Sequence, residues 1–296
     1  MKKKVRNSTA WLLSSFLIWF GFVRKAKFKA LNGDFILSVY FHAPGKDLFE
    51  FCVKWLIKNN FKFLSQDDVL AISQNRIAFP KGAVIITVDD GWKSNEENIV
   101  AIANKYKIPV TIFVSTEPIE NGNYWWPYVK KANQMQISSH TIEELKNVQD
   151  TERKAILVDI KTTVQLEREA LTVDQVKNIA KSKHVTIGGH TVNHPILPKC
   201  ENEEAYQELK ESKKIIETWV NKDITSFAYP NGDYGEREIQ YLKELGYAVA
   251  YTTKPSQLTK KALKQIYELP RFAVFENVSN AEAVCRMVGV WQKFIN

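Results

Sequence analysis

Two acidic residues and two histidines stand at the ends of two separate apolar runs. Asp89 and Asp90 directly follow one run, and His190 and His194 follow another about a hundred residues later. One carboxylate and two imidazoles are an open ligand set for zinc, because they leave a fourth position for water. The neighbouring carboxylate can accept the proton that such a water loses. The residue types and their spacing therefore predict metal-assisted hydrolysis.

Three ordered motifs extend this pattern. They read Thr-Val-Asp-Asp-Gly at 87–91, His-Thr-Val-Asn-His-Pro at 190–195 and Phe-Ala-Tyr-Pro-Asn-Gly at 227–232. In this order they resemble the motifs of the polysaccharide deacetylases of carbohydrate esterase family 4, whose first two motifs are Thr-Phe-Asp-Asp-Gly and His-Ser/Thr-x-x-His-Pro. The resemblance runs from about residue 35 to about residue 275.

The resemblance implies a role for each matching residue. Asp90, His190 and His194 would hold a divalent metal, for which zinc is the expected ion, and Asp89 would be the general base. A backbone N–H of the third motif would meet the oxyanion, and by position that donor is Tyr229, which would also contact the sugar. The implied substrate is an N-acetylated amino sugar in a polysaccharide or a lipid-linked glycan.

The sequence departs from the family pattern at two places. Ala228 stands where many members carry an arginine that orients the base, and Arg271 on the last strand is the residue expected to replace it. Arg271 also occupies the place of the histidine that protonates the departing amine. His42, at the end of the first predicted strand, is the alternative candidate for this general acid. The missing histidine leaves open a catalytically weak glycan-binding protein, and the shared fold leaves open a hydrolase of cyclic amides or ureides.

Apolar runs alternate with amphipathic stretches along the chain, as is typical of parallel strands joined by crossover helices. The alternation predicts about seven parallel strands in an irregular (β/α) barrel, which is also the fold that the resemblance implies. In such barrels the reacting groups lie at the C-terminal ends of the strands, so distant residues are expected to meet at one mouth. The expected strands are 35–42, 84–88, 110–114, 185–187, 226–229, 247–252 and 269–275.

Residues 117–169 are too many for an ordinary connection between a strand and a helix. This segment is predicted to be an insertion at the catalytic face, and it contains Trp125 and Trp126. Aromatic faces stack on sugar rings, so these two tryptophans are candidates for a substrate-binding wall. The alternative is that they anchor the insertion to the barrel.

The net charge of +8 comes entirely from the first 30 residues. No acid precedes Asp34, and the remaining 33 basic and 33 acidic residues cancel. A neutral body lacks the basic footprint that binding to a phosphate backbone needs, so the composition argues against a nucleic-acid partner. The eight basic residues are Lys2, Lys3, Lys4, Arg6, Arg24, Lys25, Lys27 and Lys29.

These basic residues flank an apolar run at 10–23. As a helix, at about 1.5 Å per residue, the run is shorter than the roughly 30 Å core of a bilayer. Residues 1–30 are therefore predicted to lie on an anionic membrane surface, and residues 31–296 to form the catalytic domain. Three cysteines without metal-site spacing favour a reducing compartment and hence the cytoplasmic face. The alternative for the segment is an uncleaved signal anchor.

Overall fold

Eight parallel strands form one sheet in the computed structural model, which describes residues 2–295 and the side chains of residues 9–294. Seven of them follow the order β7-β6-β5-β4-β3-β1-β8, and the short β2 pairs with β3. The strands are β1 (Leu37–Phe41), β2 (Lys62–Phe63), β3 (Ala83–Val88), β4 (Val110–Val114), β5 (Val185–Gly189), β6 (Ser226–Ala228), β7 (Val249–Tyr251) and β8 (Phe272–Ala273).

The sheet curls so that its two end strands, β7 and β8, come near each other. Leu269, just before β8, forms a parallel bridge with Tyr251 of β7, while Phe272 of β8 pairs with Val39 of β1. The predicted irregular (β/α) barrel of about seven parallel strands is confirmed. Sequence periodicity did not indicate β2, because two residues are too short for a pattern.

The register of the strands brings the motifs to one edge. Phe41 of β1 pairs with Val88 of β3, so the residues that follow, His42 and Asp89, leave the sheet side by side. Val114 of β4 likewise pairs with Gly189 of β5, directly before His190. Strands β1 and β3 are buried along their whole length, as expected for parallel strands covered on both faces.

Helices cover the outside of the sheet. A π-helical turn over Glu96–Val100 runs into α5, and 3₁₀ turns occupy Leu197–Lys199, Pro230–Gly232 and Ala262–Lys264. The α-helices are α1 (Lys2–Trp19), α2 (Phe22–Asn32), α3 (Lys46–Lys58), α4 (Gln66–Ser73), α5 (Ala101–Tyr106), α6 (Thr116–Asn121), α7 (Trp125–Gln134), α8 (Ile142–Asn147), α9 (Asp150–Thr163), α10 (Val173–Ile179), α11 (Asn202–Val220), α12 (Glu236–Glu244), α13 (Asn280–Met287) and α14 (Gln292–Ile295).

The segment predicted as an insertion forms four short helices, α6 to α9, between β4 and α10. It has a small hydrophobic core of its own, and α8 begins with a capping box in which Thr141 and Glu144 exchange hydrogen bonds. A segment with its own core can hold a fixed position over the mouth of the barrel. The buried members of this core are Trp125, Val129, Ala132, Leu145, Leu157, Ile160 and Val164.

The first two helices pack one side against the catalytic domain. Ser14 and Leu17 of α1 are fully buried, and the Ser14 carbonyl accepts a weak hydrogen bond from Cys285 Sγ of α13 at 3.6 Å. The chain turns between α1 and α2 at Gly21, whose φ is 79°. Among the described residues, no helix combines the length and the hydropathy that a membrane crossing needs. The side chains of residues 1–8, which include the first predicted basic cluster, lie outside the described part.

Candidate active site

A cavity of about 390 Å³ opens at the C-terminal ends of the strands, where the sequence predicts the reacting groups. Motif residues from β3 and β5 meet there with residues of the insertion, and seven of the predicted site residues line it. These seven are His42, Asp89, Asp90, Trp125, Trp126, His190 and His194.

Asp90, His190 and His194 converge on one point. The Asp90 Oδ1 atom lies 3.4 Å from His190 Nε2 and 3.4 Å from His194 Nε2, and the three ligand atoms all lie within 4.8 Å of one another. Asp90 and His194 both have positive φ angles, 77° and 53°, which non-glycine residues rarely adopt. A carboxylate and two imidazoles at this spacing fit a single divalent cation.

Hydrogen bonds on the outer sides of His190 and Asp90 leave their facing atoms free for a cation. His190 Nδ1 lies 2.6 Å from the Ala228 carbonyl, which can only accept, so Nδ1 carries the proton and Nε2 presents a lone pair. Trp92 donates its indole N–H to Asp90 Oδ2 at 2.8 Å, on the side away from the histidines. Tyr124 donates to the Asp90 carbonyl at 2.9 Å.

The protonation states also suit a metal site. Burial raises the pKa of Asp90, but the His190 and His194 rings that face its carboxylate outweigh burial and hold this pKa well below its ordinary value. Burial lowers the pKa of His194 below its ordinary value, although the Asp90 carboxylate acts in the opposite direction. Near neutral pH the carboxylate is therefore ionised and the His194 imidazole neutral, which are the forms that bind metals.

Asp89 is held by Arg271, a buried arginine that directly precedes β8. Arg271 Nη1 and Nη2 donate to the two carboxylate oxygens of Asp89 at 2.7 and 2.8 Å. Nη1 also donates to Thr87 Oγ1 at 2.9 Å, and Nε donates to the Thr252 carbonyl at 2.9 Å. The guanidinium lies over the ring of Tyr40, with 4.4 Å to the centroid. The predicted contact between Arg271 and Asp89 is present, and it fixes the direction of the carboxylate.

His42 lies at the rim of the same cavity and is half-buried. Its Nδ1 atom is 3.8 Å from Glu276 Oε1, and its ring contacts that of Tyr40 with 5.5 Å between centroids. Glu276 also lines the cavity, and its Oε1 accepts the Ala43 N–H at 3.3 Å. The acid role of His42 stays a prediction.

The two tryptophans of the insertion both line the cavity, and their contacts differ. Trp125 is buried, and its indole N–H donates to the His194 carbonyl at 3.1 Å. Trp126 is half-buried, stacks on Tyr124 at 4.6 Å and meets the His194 ring edge-on at 4.7 Å. Trp125 therefore anchors the insertion to the loop that carries His194, while Trp126 presents aromatic surface to the cavity.

The structure contradicts the assignment of Tyr229 as oxyanion donor and sugar contact. Its backbone N–H already donates to the Tyr251 carbonyl at 3.0 Å, and its hydroxyl donates to the Tyr267 carbonyl at 3.1 Å. The side chain is fully buried and does not line the cavity. The physical reason is that Tyr229 directly follows β6 and still takes part in the pairing of the sheet.

Asn231, two residues later, is the member of this motif that lines the cavity. Its φ is 58°, and within the described chain its backbone N–H makes no hydrogen bond. Its side-chain oxygen accepts a hydrogen bond from Lys146 of the insertion at 2.8 Å. A sequence signal was present, because a residue between Pro230 and Gly232 is expected in a tight turn that leaves strand pairing.

Sequence reasoning also missed several residues that surround the site. Trp92 and Tyr124 could have been suspected as aromatic residues that follow catalytic-face strands, but nothing in the sequence pairs Lys146 or Glu276 with the motifs. Their positions depend on how the insertion and the last loop fold over the cavity. All of them except Tyr124 line it directly.

Comparisons with known proteins agree with the geometry of this site. Residues 76–250, more than half of the chain, match the family model described as polysaccharide deacetylase. YxkH of Bacillus subtilis (strain 168), which is named as a polysaccharide deacetylase, is 22% identical over 95% of this chain and 80% of its own length. The poly-beta-1,6-N-acetyl-D-glucosamine N-deacetylase of Staphylococcus aureus (strain MSSA476) is 25% identical over 86% of this chain and 77% of its own.

Solved structures share the fold. The deacetylase PplD of Streptococcus pyogenes, determined in complex with acetate, superposes with a TM-score of 0.63 at 21% identity and covers 86% of this chain and 98% of its own. IcaB from Ammonifex degensii superposes with a TM-score of 0.62 at 14% identity, over 88% and 98% of the two chains. The match to the family model over more than half of the chain identifies it as a member of the polysaccharide deacetylase family.

Proposed function

We propose that this protein is a metal-dependent hydrolase that removes N-acetyl groups from an amino sugar in a polysaccharide or a lipid-linked glycan. The observation that carries the proposal is that one cavity contains both a group of possible metal ligands and a carboxylate that can act as a base. Asp90, His190 and His194 converge there on one point, and Asp89 stands beside them in a bidentate pair with Arg271.

Each of these residues has a separate task in the proposed reaction. Asp90, His190 and His194 hold a divalent cation, and zinc suits a site of one carboxylate and two imidazoles. A cation bound there would supply Lewis acidity, which would polarise the acetyl carbonyl and make water more acidic. Asp89 accepts the proton of the attacking water, and Arg271 keeps both of its oxygens oriented.

Asn231 replaces Tyr229 as the proposed oxyanion donor. Its N–H makes no hydrogen bond within the described chain, and the residue lines the cavity in a left-handed turn. A backbone donor that is already oriented stabilises developing negative charge without reorganisation during the reaction. The hydrogen bond from Lys146 to its side chain helps to hold this turn in place.

The cavity and the relatives support a glycan substrate. A volume of about 390 Å³ is in the range of small-molecule sites, and Trp126 offers an aromatic face for a sugar ring. The Staphylococcus aureus relative is named for poly-beta-1,6-N-acetyl-D-glucosamine, so N-acetylglucosamine polymers are the first substrates to test. This name favours a carbohydrate substrate over cyclic amides or ureides.

We also propose that the first two helices bind an anionic membrane surface. Their outward side exposes large apolar residues, including Trp19 at 80% and Phe28 at 64%. Arg24 and Lys25, which carry positive charge, lie on the same short segment. Aromatic and basic side chains together suit a helix that lies in the lipid interface.

Acetate release together with metal analysis tests the catalytic proposal. Full-length protein is loaded with zinc and incubated with β-1,6-linked N-acetylglucosamine oligomers, an N-acetylated lipid-linked sugar and a cyclic ureide. We expect about one metal per chain and acetate from at least one glycan, with both lost in His190→Ala. Acetate release that persists after complete metal removal, or hydrolysis of the ureide alone, would reject the proposal.

A further inference from the structure

Glu208 of α11 is a buried carboxylate that accepts three hydrogen bonds from the segment between the two histidine ligands. Its Oε2 atom accepts the backbone N–H groups of Val192 and Asn193, both at 2.9 Å. Its Oε1 atom accepts the side-chain amide of Asn193 at 2.6 Å. Glu208 is only 5% exposed, so these hydrogen bonds use most of the accepting capacity of a carboxylate removed from water.

The ligand loop, residues 190–194, does not adopt a relaxed conformation. Thr191 has a φ of 68° and His194 a φ of 53°, although neither is glycine. Such backbone conformations cost free energy and persist only where surrounding contacts hold them. His190 and His194 present their Nε2 atoms to the same point only while the loop keeps this shape.

The loop is held from two directions. Its carbonyls face the insertion, because Thr116 and Glu117 donate backbone N–H groups to Thr191 and Val192 at 3.2 and 2.9 Å. Trp125 donates to the His194 carbonyl at 3.1 Å. The N–H groups of Val192 and Asn193 face the other way, towards α11, and Glu208 is their acceptor.

We propose that Glu208 is a positioning residue of the metal site, which sets the spacing of the two histidine ligands by fixing the loop between them. The inference rests on the proposed metal-dependent function and adds a residue to it. Without this acceptor, two neighbouring backbone donors would lose their partner, and the loop would turn to find another. That movement would separate the Nε2 atoms of His190 and His194.

An ion pair does not account for the burial of the Glu208 carboxylate. Lys154 of the insertion is a nearby cation, but its ammonium is paired with Asp150 at 2.9 Å and with Glu204. Glu208 therefore directs its oxygens to the loop rather than to a cation. This separates its role from that of the charged cluster beside it.

Three substitutions of Glu208 distinguish the effects of its hydrogen-bond acceptor, its side-chain length and its negative charge. Glu208→Ala removes the acceptor, and Glu208→Asp keeps the charge but withdraws it from the loop. Glu208→Gln keeps one oxygen that can accept both backbone N–H groups, and the Asn193 amide can rotate to pair with the new amide. Glu211→Gln is the matched control, since Glu211 lies on the same helix, is 40% exposed and pairs only loosely with Lys214 at 3.8 Å.

The measurements are zinc affinity by competition with a chelator, the visible spectrum of the cobalt-substituted protein, and thermal unfolding of the metal-free protein. We expect Glu208→Ala and Glu208→Asp to bind zinc about 10–100-fold more weakly, with an altered cobalt spectrum. Glu208→Gln and Glu211→Gln should stay close to the wild type in both readouts. Metal-free unfolding confirms that the variants compared are folded.

The outcomes distinguish this inference from the function on which it rests. Wild-type zinc affinity and an unchanged cobalt spectrum in both Glu208→Ala and Glu208→Asp would overturn the role of Glu208. Equal losses in Glu208→Gln and Glu208→Ala would also overturn it, because charge rather than hydrogen bonding would then be responsible. A wild-type protein that binds no zinc, or whose affinity is unchanged by His190→Ala, would instead reject the proposed metal site.

Discussion

Arg271 and Asp89 form a bidentate ion pair beneath the cavity, although 181 residues separate them in the chain, with N–O distances of 2.7 and 2.8 Å. The guanidinium is fully buried, and it also contacts Thr87 and the Thr252 carbonyl. A buried carboxylate with both oxygens engaged has one orientation, which suits a base that must face a particular water. In the proposed mechanism Arg271 thus takes the positioning task that Ala228 cannot.

Replacing Arg271 should affect both catalysis and stability. Arg271→Lys keeps a positive charge but loses the planar pair of donors, so we expect turnover to fall by about 100-fold at all pH values. Arg271→Ala leaves Asp89 buried without a partner and should cost about 3–5 kcal/mol of unfolding free energy. Steady-state kinetics and urea unfolding measure the two effects. Wild-type turnover in Arg271→Lys would show that the bidentate geometry does not matter.

Asp89 and Asp90 are adjacent, yet the same substitution should affect them differently. Asp89→Asn should keep the metal and lose turnover by about 100-fold or more, because an amide cannot accept the proton. Asp90→Asn should lose metal affinity and turnover together, because it removes a charged ligand. Metal content after dialysis and acetate release are measured on each variant. Metal loss in Asp89→Asn with retention in Asp90→Asn would mean that the two roles are exchanged.

The metal-free protein should lose stability in mildly acidic solution. Burial lowers the pKa of His194 from its ordinary value of 6.5, so the unfolded chain binds a proton more readily than the folded one. The stabilisation from neutral His194 is therefore complete above about pH 6.5 and is lost as the pH falls towards the lower folded pKa. The stabilisation from ionised Asp90 falls in a separate window, because it is complete above the ordinary pKa of 3.8 and is lost only as the pH falls below that value.

Melting temperatures of metal-free protein between pH 8 and pH 5 check this prediction. His194→Gln, which cannot bind the proton, should show a flatter dependence on pH in the same window. Between pH 6.5 and pH 5, the melting temperature of the wild type should depend on pH at least as steeply as that of the variant. Parallel curves for the two proteins would contradict the assignment to His194.

His42 is the predicted general acid, and its position at the cavity rim allows a direct test. His42→Ala should remove the alkaline limb of the pH profile, because loss of an imidazolium proton would no longer limit the reaction. Glu276→Gln serves as a comparison, since Glu276 Oε1 lies 3.8 Å from His42 Nδ1 and its replacement leaves the imidazole in place. Normal turnover with an unchanged alkaline limb in His42→Ala would leave another group as the donor.

The exposed aromatic side chains of the first two helices should govern membrane binding. Substituting Trp19, Phe20 and Phe28 by serine should release the protein from vesicles that contain anionic lipid, because these rings are 80%, 55% and 64% exposed. Surface substitutions are preferable to deleting residues 1–30, since Leu17 and Ala30 are fully buried against the domain.

Two controls accompany the vesicle experiment. Activity on a small soluble N-acetylated sugar should be unchanged, because none of the three aromatic residues lines the cavity. Vesicles of zwitterionic lipid should bind the wild-type protein more weakly, since each basic residue near an anionic surface adds about 1 kcal/mol. Undiminished sedimentation of the triple variant with anionic vesicles would remove the proposed membrane role.

The sequence by itself determined the architecture and the two motifs that supply the candidate metal ligands. Strand-like runs end at Asp89 and His190, and parallel strands place all their C-terminal ends at one edge, so convergence followed from topology alone. The insertion was equally visible, because it is too long for an ordinary connection. These inferences depend on local patterns and on one general rule of strand direction.

Only the tertiary structure decided which groups surround the candidate metal site. Tyr229 and Asn231 differ by two residues, but strand pairing consumes the N–H of the first and a left-handed turn leaves that of the second free. Glu208 supports the ligand loop from a helix whose sequence shows only amphipathic spacing. Such contacts depend on side-chain direction and on packing between segments far apart in the chain, and a linear pattern carries neither.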